Sequence, residues 1–250
     1  MNFRVALAIL QRLELPRRID RLCVGFMDCS PEEIREVIGP YIRTLLQGHG
    51  GSSTRLGVSI DVETDVVSLS VGLVGTRGKS RALRPPYGIF SVTLPPDTSV
   101  KEKEDLCVEI LAPLPQTRVH RLVTNLSTGV LEKLSAAVPE TRILHLRDPV
   151  VSDSFLLPSP DGPNAHRKLL PSLRTLHLRY EVPLDNNDWD ALARYLIHQT
   201  TGSHSFSRLS VCGKGIHLCR ELQVQIRGLA KRFHYSPDPD EKCPFDRCLG

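Results

Sequence analysis

The stretch Leu173-Arg174-Thr175-Leu176-His177-Leu178 sets an apolar residue, two variable ones, a leucine, one variable residue and a final apolar residue. Ile19-Asp20-Arg21-Leu22-Cys23-Val24 and Phe206-Ser207-Arg208-Leu209-Ser210-Val211 repeat it. Val119–Thr124 is a weak copy, and Arg142-Ile143-Leu144-His145-Leu146 a shortened one. The central leucines step by 22 residues (122 to 144), 32 (144 to 176) and 33 (176 to 209). Self-similarity at this length predicts stacked strand–helix units, none of which can bury its own apolar face. The expected fold class is α/β, with a mainly parallel, curved sheet and helices on its convex side. Residues 1–235 are expected to form one domain, more irregular over 1–117 and more regular over 118–235, with 236–250 a flexible tail.

Outward from the repeats, period-two alternation predicts strands at Ile19–Phe26, Leu56–Ile60, Val67–Val71 and Phe90–Leu94. The middle two read as a hairpin or as neighbours in a sheet. Helical spacing predicts helices over Phe3–Leu13, from Ser30 to Leu46, and over Gly129–Val138, Trp189–Gln199 and Ile216–Phe233. Ser30-Pro31-Glu32-Glu33 is a helix start, with Ser as N-cap, Pro in the first turn and Glu33 closing a capping box. Leu106–Leu111 leans to helix because the charged run Lys101–Asp105 opens it. Gly75–Gly88 reads as a loop. Asp148–Pro163, rich in Pro, Ser and Asp, reads as a long insertion between repeats.

Hydrophobic residues make up 40% of the chain and charged ones 24%, the balance of a folded globular protein. Aromatics are only 5%, so the core must be aliphatic. The net charge is +4, and the basic pairs Arg17-Arg18, Arg167-Lys168 and Lys231-Arg232 are scattered without interleaved aromatics. No nucleic-acid partner is expected from that distribution. No apolar run approaches the ~18–20 residues that span a bilayer. Met1–Leu15 reads as an amphipathic helix rather than a secretory leader. The seven cysteines, an odd number, then fit free thiols in a reducing intracellular setting, cytoplasmic or nuclear.

Motifs for chemistry fall short. Cys243-Pro-Phe-Asp-Arg-Cys248, with Cys212, His217 and Cys219, is the nearest to a metal-ligand spacing, but the tight two-residue pair is missing. A phosphate loop anchored on Gly78-Lys79-Ser80 needs glycine where Leu73 stands, and Arg84-Pro85-Pro86 follows in place of a helix. Asp188 and Asp190, flanking Trp189, read as charges that complement a helix N-terminus. No catalytic residue, metal or cofactor is expected.

His145 and His177 occupy the same repeat position, between two strand leucines. Alternation along a strand places them on an outer, concave face. The expected partner-binding set is His145, Arg147, Thr175, His177, Arg179, Arg208 and Ser210. Three arginines and two histidines favour an acidic partner segment, more strongly below about pH 6.5 where histidine gains charge.

Leu170-Pro171-Ser172-Leu173-Arg174-Thr175-Leu176-His177-Leu178 resembles the leucine-rich repeats of F-box-type proteins, where Pro-x-Leu enters each strand. Asn187-Asp188-Trp189-Asp190-Ala191-Leu192, with Leu196, is similar to a recurrent unit of fungal, mainly mushroom-type, F-box-associated repeat proteins. The resemblance runs loosely from Phe3 to Phe233 and is specific over Leu170–Leu196. It implies an irregular leucine-rich-repeat-like solenoid working as a protein-interaction module, the substrate-recruiting arm of a ubiquitin ligase. An F-box opens with a Leu-Pro entry; here a strand pattern follows Leu15-Pro16, so the F-box is expected to be missing or to lie outside this chain. Direct docking on a Skp1-type adaptor is then not expected. The alternatives are a truncated or degenerate structural paralogue with no retained partner and an enzyme with an unrecognised site.

Overall fold

The computed structural model describes residues 22–26, 30–34, 36, 56–62, 66–73, 88–111, 119–126, 130, 133, 136–147, 170–180, 206–213 and 220–236. The strands are β1 (Leu22–Phe26), β2 (Leu56–Val62), β3 (Val66–Leu73), β4 (Gly88–Thr93), β5 (Val119–Thr124), β6 (Ile143–Arg147), β7 (Thr175–Tyr180), β8 (Arg208–Gly213) and β9 (Phe233–Ser236). The helices are α1 (Pro31–Glu33), α2 (Val100–Leu111) and α3 (Arg220–Gly228). All nine strands form one sheet in the order β1-β4-β3-β2-β5-β6-β7-β8-β9. Among the described strands the β2–β3 and β3–β4 pairings are antiparallel and the other six parallel.

The repeat leucines set the register. Leu122 pairs with Leu144, Leu144 with Leu176, and Leu176 with Leu209. Val58 extends that row at one end and Phe233 at the other. Leu122, Leu144, Leu176 and Leu209 are all fully buried. Each contributes ~2–3 kcal/mol of apolar burial as an upper bound, because the unfolded chain already hides part of its surface. A second row, Ile60-Thr124-Leu146-Leu178-Val211, runs beside it on the same face. Thr124 is tolerated in this buried row because its Oγ accepts the Leu126 N–H at 3.0 Å.

The mainly parallel α/β sheet agrees with the repeat reading, and the Leu22 strand belongs to the same sheet. Its place differs from chain order: β1 pairs with β4, and the meander β2–β3–β4 stands between it and the repeats. β7 and β8 also begin two residues later than expected, and β6 one residue later, while β5 begins at Val119 as expected. Leu173 follows the turn before β7 and Phe206 forms an isolated bridge with Ala230 before β8, and both strands run on past the last apolar residue of the pattern, to Tyr180 and Gly213. The backbone explains the shift. The Leu173 N–H turns back to the Leu170 carbonyl at 3.0 Å, as Thr141 does to Val138 at 3.2 Å, so the ladder starts only after that turn.

Several local expectations hold. β2 and β3 are an antiparallel pair. The Ser30 N–H donates to Glu33 Oε2 and the Glu33 N–H to Ser30 Oγ, at 3.0 and 3.2 Å, which completes the capping box. Val130, Lys133, Ala136 and Ala137 are helical. Leu106–Leu111 is the second half of α2. The sequence reading overlooked its cap, Ser99 with Glu102, the same S-x-x-E spacing as at Ser30. Ser99 Oγ accepts the Glu102 N–H at 3.2 Å and Glu102 Oε2 accepts the Ser99 N–H at 2.9 Å. Ser99→Ala is expected to cost about 1 kcal/mol, read as a lower denaturation midpoint at unchanged slope. α2 turns Lys103, Leu106 and Cys107 inward at helical spacing and lies against β2.

The C-terminal end departs from the sequence reading. A helix was expected through Phe233 and a loose tail from Ser236. α3 instead stops at Gly228, the Leu229 N–H closing a tight turn on the Ile226 carbonyl at 3.0 Å. Phe233-His234-Tyr235-Ser236 pairs in parallel with β8, and Ser236 is fully buried. An uncovered β8 edge would leave a row of unpaired backbone groups, and aromatic residues suit a strand that covers it. The expected helices at Phe3–Leu13 and Trp189–Gln199 lie outside the described residues, as do the Asp148–Pro163 insertion, Gly78-Lys79-Ser80 and the Cys243–Cys248 tail.

Candidate functional site: a buried histidine pair between two arginine rows

The sheet face opposite the leucines carries polar residues in register. One row reads Val123-His145-His177-Ser210-His234, and the next Arg147-Arg179-Cys212-Ser236. Identical repeat positions therefore stack, His on His and Arg on Arg. The nine-residue entrance shows it most fully. Pro139-Glu140-Thr141-Arg142-Ile143-Leu144-His145-Leu146-Arg147 and Pro171-Ser172-Leu173-Arg174-Thr175-Leu176-His177-Leu178-Arg179 share Pro, Arg, Leu, His, Leu and Arg at equal places.

The expected exposure of this face fails at its centre. His145, His177 and Ser210 are only 6%, 3% and 1% exposed. Three consecutive residues are buried in β6 and in β7, and five in β8. Consecutive buried residues mean that the strands are covered on both faces, as in parallel sheets generally, so the open concave face is corrected to a covered polar layer. The other members of the expected binding set divide. Arg147 is exposed, and Thr175, Arg179 and Arg208 are half-buried.

Burial forces the two rings to satisfy each other. Nδ1 of His177 lies 2.9 Å from Nδ1 of His145, and the rings meet edge to face with centroids 4.8 Å apart. One Nδ1–H donates and the other Nδ1 accepts, so the two histidines hold complementary tautomers. Burial above all, then the Arg121, His177 and Arg147 charges, pulls the His145 pKa from 6.5 down to about 2. The expected gain of charge on this residue near pH 6.5 is thereby corrected: His145 stays neutral across the physiological range. A ring that weakly basic is a poor general base at neutral pH.

The charged neighbours sit at the end of the strands. Arg147 Nη1 lies 3.6 Å from Asp61 Oδ1, reaching across β5 to β2. Ser59 Oγ donates to Asp61 Oδ2 at 3.0 Å. Asn125, just past β5, seals the same end: its Nδ2 donates to the Val62 carbonyl and its Oδ1 accepts the Val62 N–H, at 2.7 and 2.8 Å. Nothing in the repeat pattern pointed to Asn125. Arg142 and Arg174 were also missed as site residues, although the nine-residue match marks them.

Cys107 and Cys212 are buried free thiols, and in such surroundings a free cysteine packs as a small hydrophobe. Burial pushes the Cys107 thiol far up, and Glu104 and Asp61 add to it, so it is neither nucleophile nor ready metal ligand. Among the described residues no group of three or more His, Cys, Asp or Glu could hold a metal ion, and no helix is long and apolar enough to cross a membrane. No family model matches the chain, and no curated protein matches it in sequence.

Proposed function

We propose that this chain is a protein-interaction module, with its repeats forming a leucine-rich-repeat-like solenoid inside the cell. The observation that carries the reading is the in-register pairing of Arg142–Arg147 with Arg174–Arg179, inside the matching stretches Pro139–Arg147 and Pro171–Arg179. It ends in pairs of arginines, Arg142 beside Arg174 and Arg147 beside Arg179, on either side of a buried Leu-His-Leu layer. Side chains held in register on a rigid sheet lose little ordering entropy when a partner binds, which favours recognition over chemistry. The similarity of Leu170–Leu196 to F-box-linked repeats gives the role its form: recruitment of a substrate protein to a ubiquitin ligase, with the adaptor contact supplied outside this chain. The test is affinity capture on the full chain, followed by direct binding of each retained protein in purified form. A saturable complex with a purified protein is the expected result. Retention no greater than on a denatured control, together with turnover in a hydrolase or transferase screen, would replace this reading by an enzymatic one.

A further inference from the structure

The rim where the strands begin carries a row that the polar layer does not use. The Arg142 N–H donates to the His120 carbonyl at 3.0 Å. The N–H groups of Arg174 and Thr175 both donate to the Arg142 carbonyl at 2.9 Å, and those of Ser207 and Arg208 to the Arg174 carbonyl at 2.8 and 3.2 Å. The Phe206–Ala230 bridge and the Lys231 N–H bond to the Phe206 carbonyl bring Lys231 alongside Ser207. The row therefore reads His120-Arg142-Arg174-Ser207-Lys231, one residue per strand. Arg142, Arg174, Lys231 and the adjacent Arg232 are exposed, and His120 and Ser207 are half-buried.

Charge on this rim is one-sided. Over 138–143, 170–175, 206–208 and 228–233 the only acidic residue is Glu140, against Arg142, Arg174, Arg208, Lys231 and Arg232. Among the described residues no side chain pairs with Arg142, Arg174, Lys231 or Arg232; the described ion pairs, Lys133 with Asp105 and Arg147 with Asp61, lie elsewhere. Adjacent strands are ~4.8 Å apart, so Arg142 to Lys231 spans roughly 14 Å, the length of four or five residues of extended chain at ~3.3 Å each. The backbone bonds set Arg142 and Arg174 on adjacent strands, and each guanidinium is able to take a carboxylate in bidentate fashion.

We propose that this rim docks a short, extended, Asp/Glu-rich segment of a partner protein, lying across the strand starts with its carboxylates on Arg142, Arg174 and Lys231. The inference rests on the interaction-module reading and moves the contact from the sheet face to the rim. A nucleic-acid strand fits less well, because the described rim offers no exposed aromatic side chain on which a base could stack: Phe206 is buried and Phe233 half-buried.

The experiment titrates the full chain with a labelled peptide of alternating Glu and Gly, and in parallel with a labelled oligothymidylate. Arg174→Glu and Lys101→Glu change the net charge equally, but Lys101 lies in the first turn of α2, the helix that packs on β2. The peptide is expected to bind, more weakly as salt rises. Arg174→Glu is expected to lose about tenfold in affinity, Lys101→Glu no more than about twofold, and the neutral pair Arg142→Gln/Arg174→Gln should weaken binding with an unchanged melting temperature. Equal loss in Arg174→Glu and Lys101→Glu, no binding of the peptide, or tighter binding of the oligothymidylate overturns the proposal. The two readings fail separately. A captured partner that binds Arg142→Gln/Arg174→Gln as tightly as the parent leaves the module and removes the rim. Rim-dependent peptide binding with no captured partner leaves the rim and removes the module.

Discussion

Leu176→Asp is expected to unfold the repeats. Leu176 has no exposed surface and stands at the centre of the leucine row, between Leu144 and Leu209. Its cross-strand neighbours on that face are leucines, so a carboxylate there is buried unpaired or must take up a proton. Either route costs several kcal/mol, set against a whole-domain stability of ~5–15 kcal/mol. Circular dichroism melts should show loss of the cooperative transition or a steep fall in its midpoint. Leu176→Met, which keeps the volume, should cost under about 1.5 kcal/mol. Val224→Asp, at a position 65% exposed on α3, should be neutral within about 0.5 kcal/mol. Coincident melts for Leu176→Asp and the parent would mean that Leu176 is not core.

Acid should destabilise the protein through His145. Its folded pKa, about 2, lies below the unfolded value of 6.5, so the unfolded chain binds more protons wherever the pH falls between them. The stability tied to the neutral ring is complete above pH 6.5 and drains away as the pH falls toward 2. By pH 4.5 the loss from this one group is about 3 kcal/mol, at 1.36 kcal/mol per pH unit. Denaturation measured between about pH 5 and 4 should show roughly one proton taken up on unfolding at this site. His145→Gln should flatten that slope by about one proton. A slope that the substitution leaves unchanged would place the ring in water.

The leucine row and the stacking of His145 on His177 were legible because parallel strands preserve repeat positions as rungs, and a fixed offset in sequence becomes adjacency in space. The burial of the histidines was not. Alternation tells which residues share a face but not what covers it, and a histidine between two leucines reads the same under solvent or under protein. β9 was hidden by length: Phe233-His234-Tyr235-Ser236 is too short to show a period and follows an amphipathic helix whose pattern runs into it. The β1–β4 pairing was illegible because adjacency between strands far apart in sequence leaves no local mark. The rim, by contrast, was legible in the Arg that Pro139–Arg147 and Pro171–Arg179 share three residues after the Pro.

The central claim is that equal positions of consecutive repeats stand side by side in parallel register, and the histidine pair reports on it most directly. In protein labelled with nitrogen-15 on its histidine rings, the Nδ1 atoms of His145 and His177, 2.9 Å apart, should show a scalar coupling across their shared hydrogen bond. The coupling should persist at pH 7 and vanish in His145→Gln. A His145 ring that couples to no other and titrates near the ordinary value of about 6.5 would contradict the account.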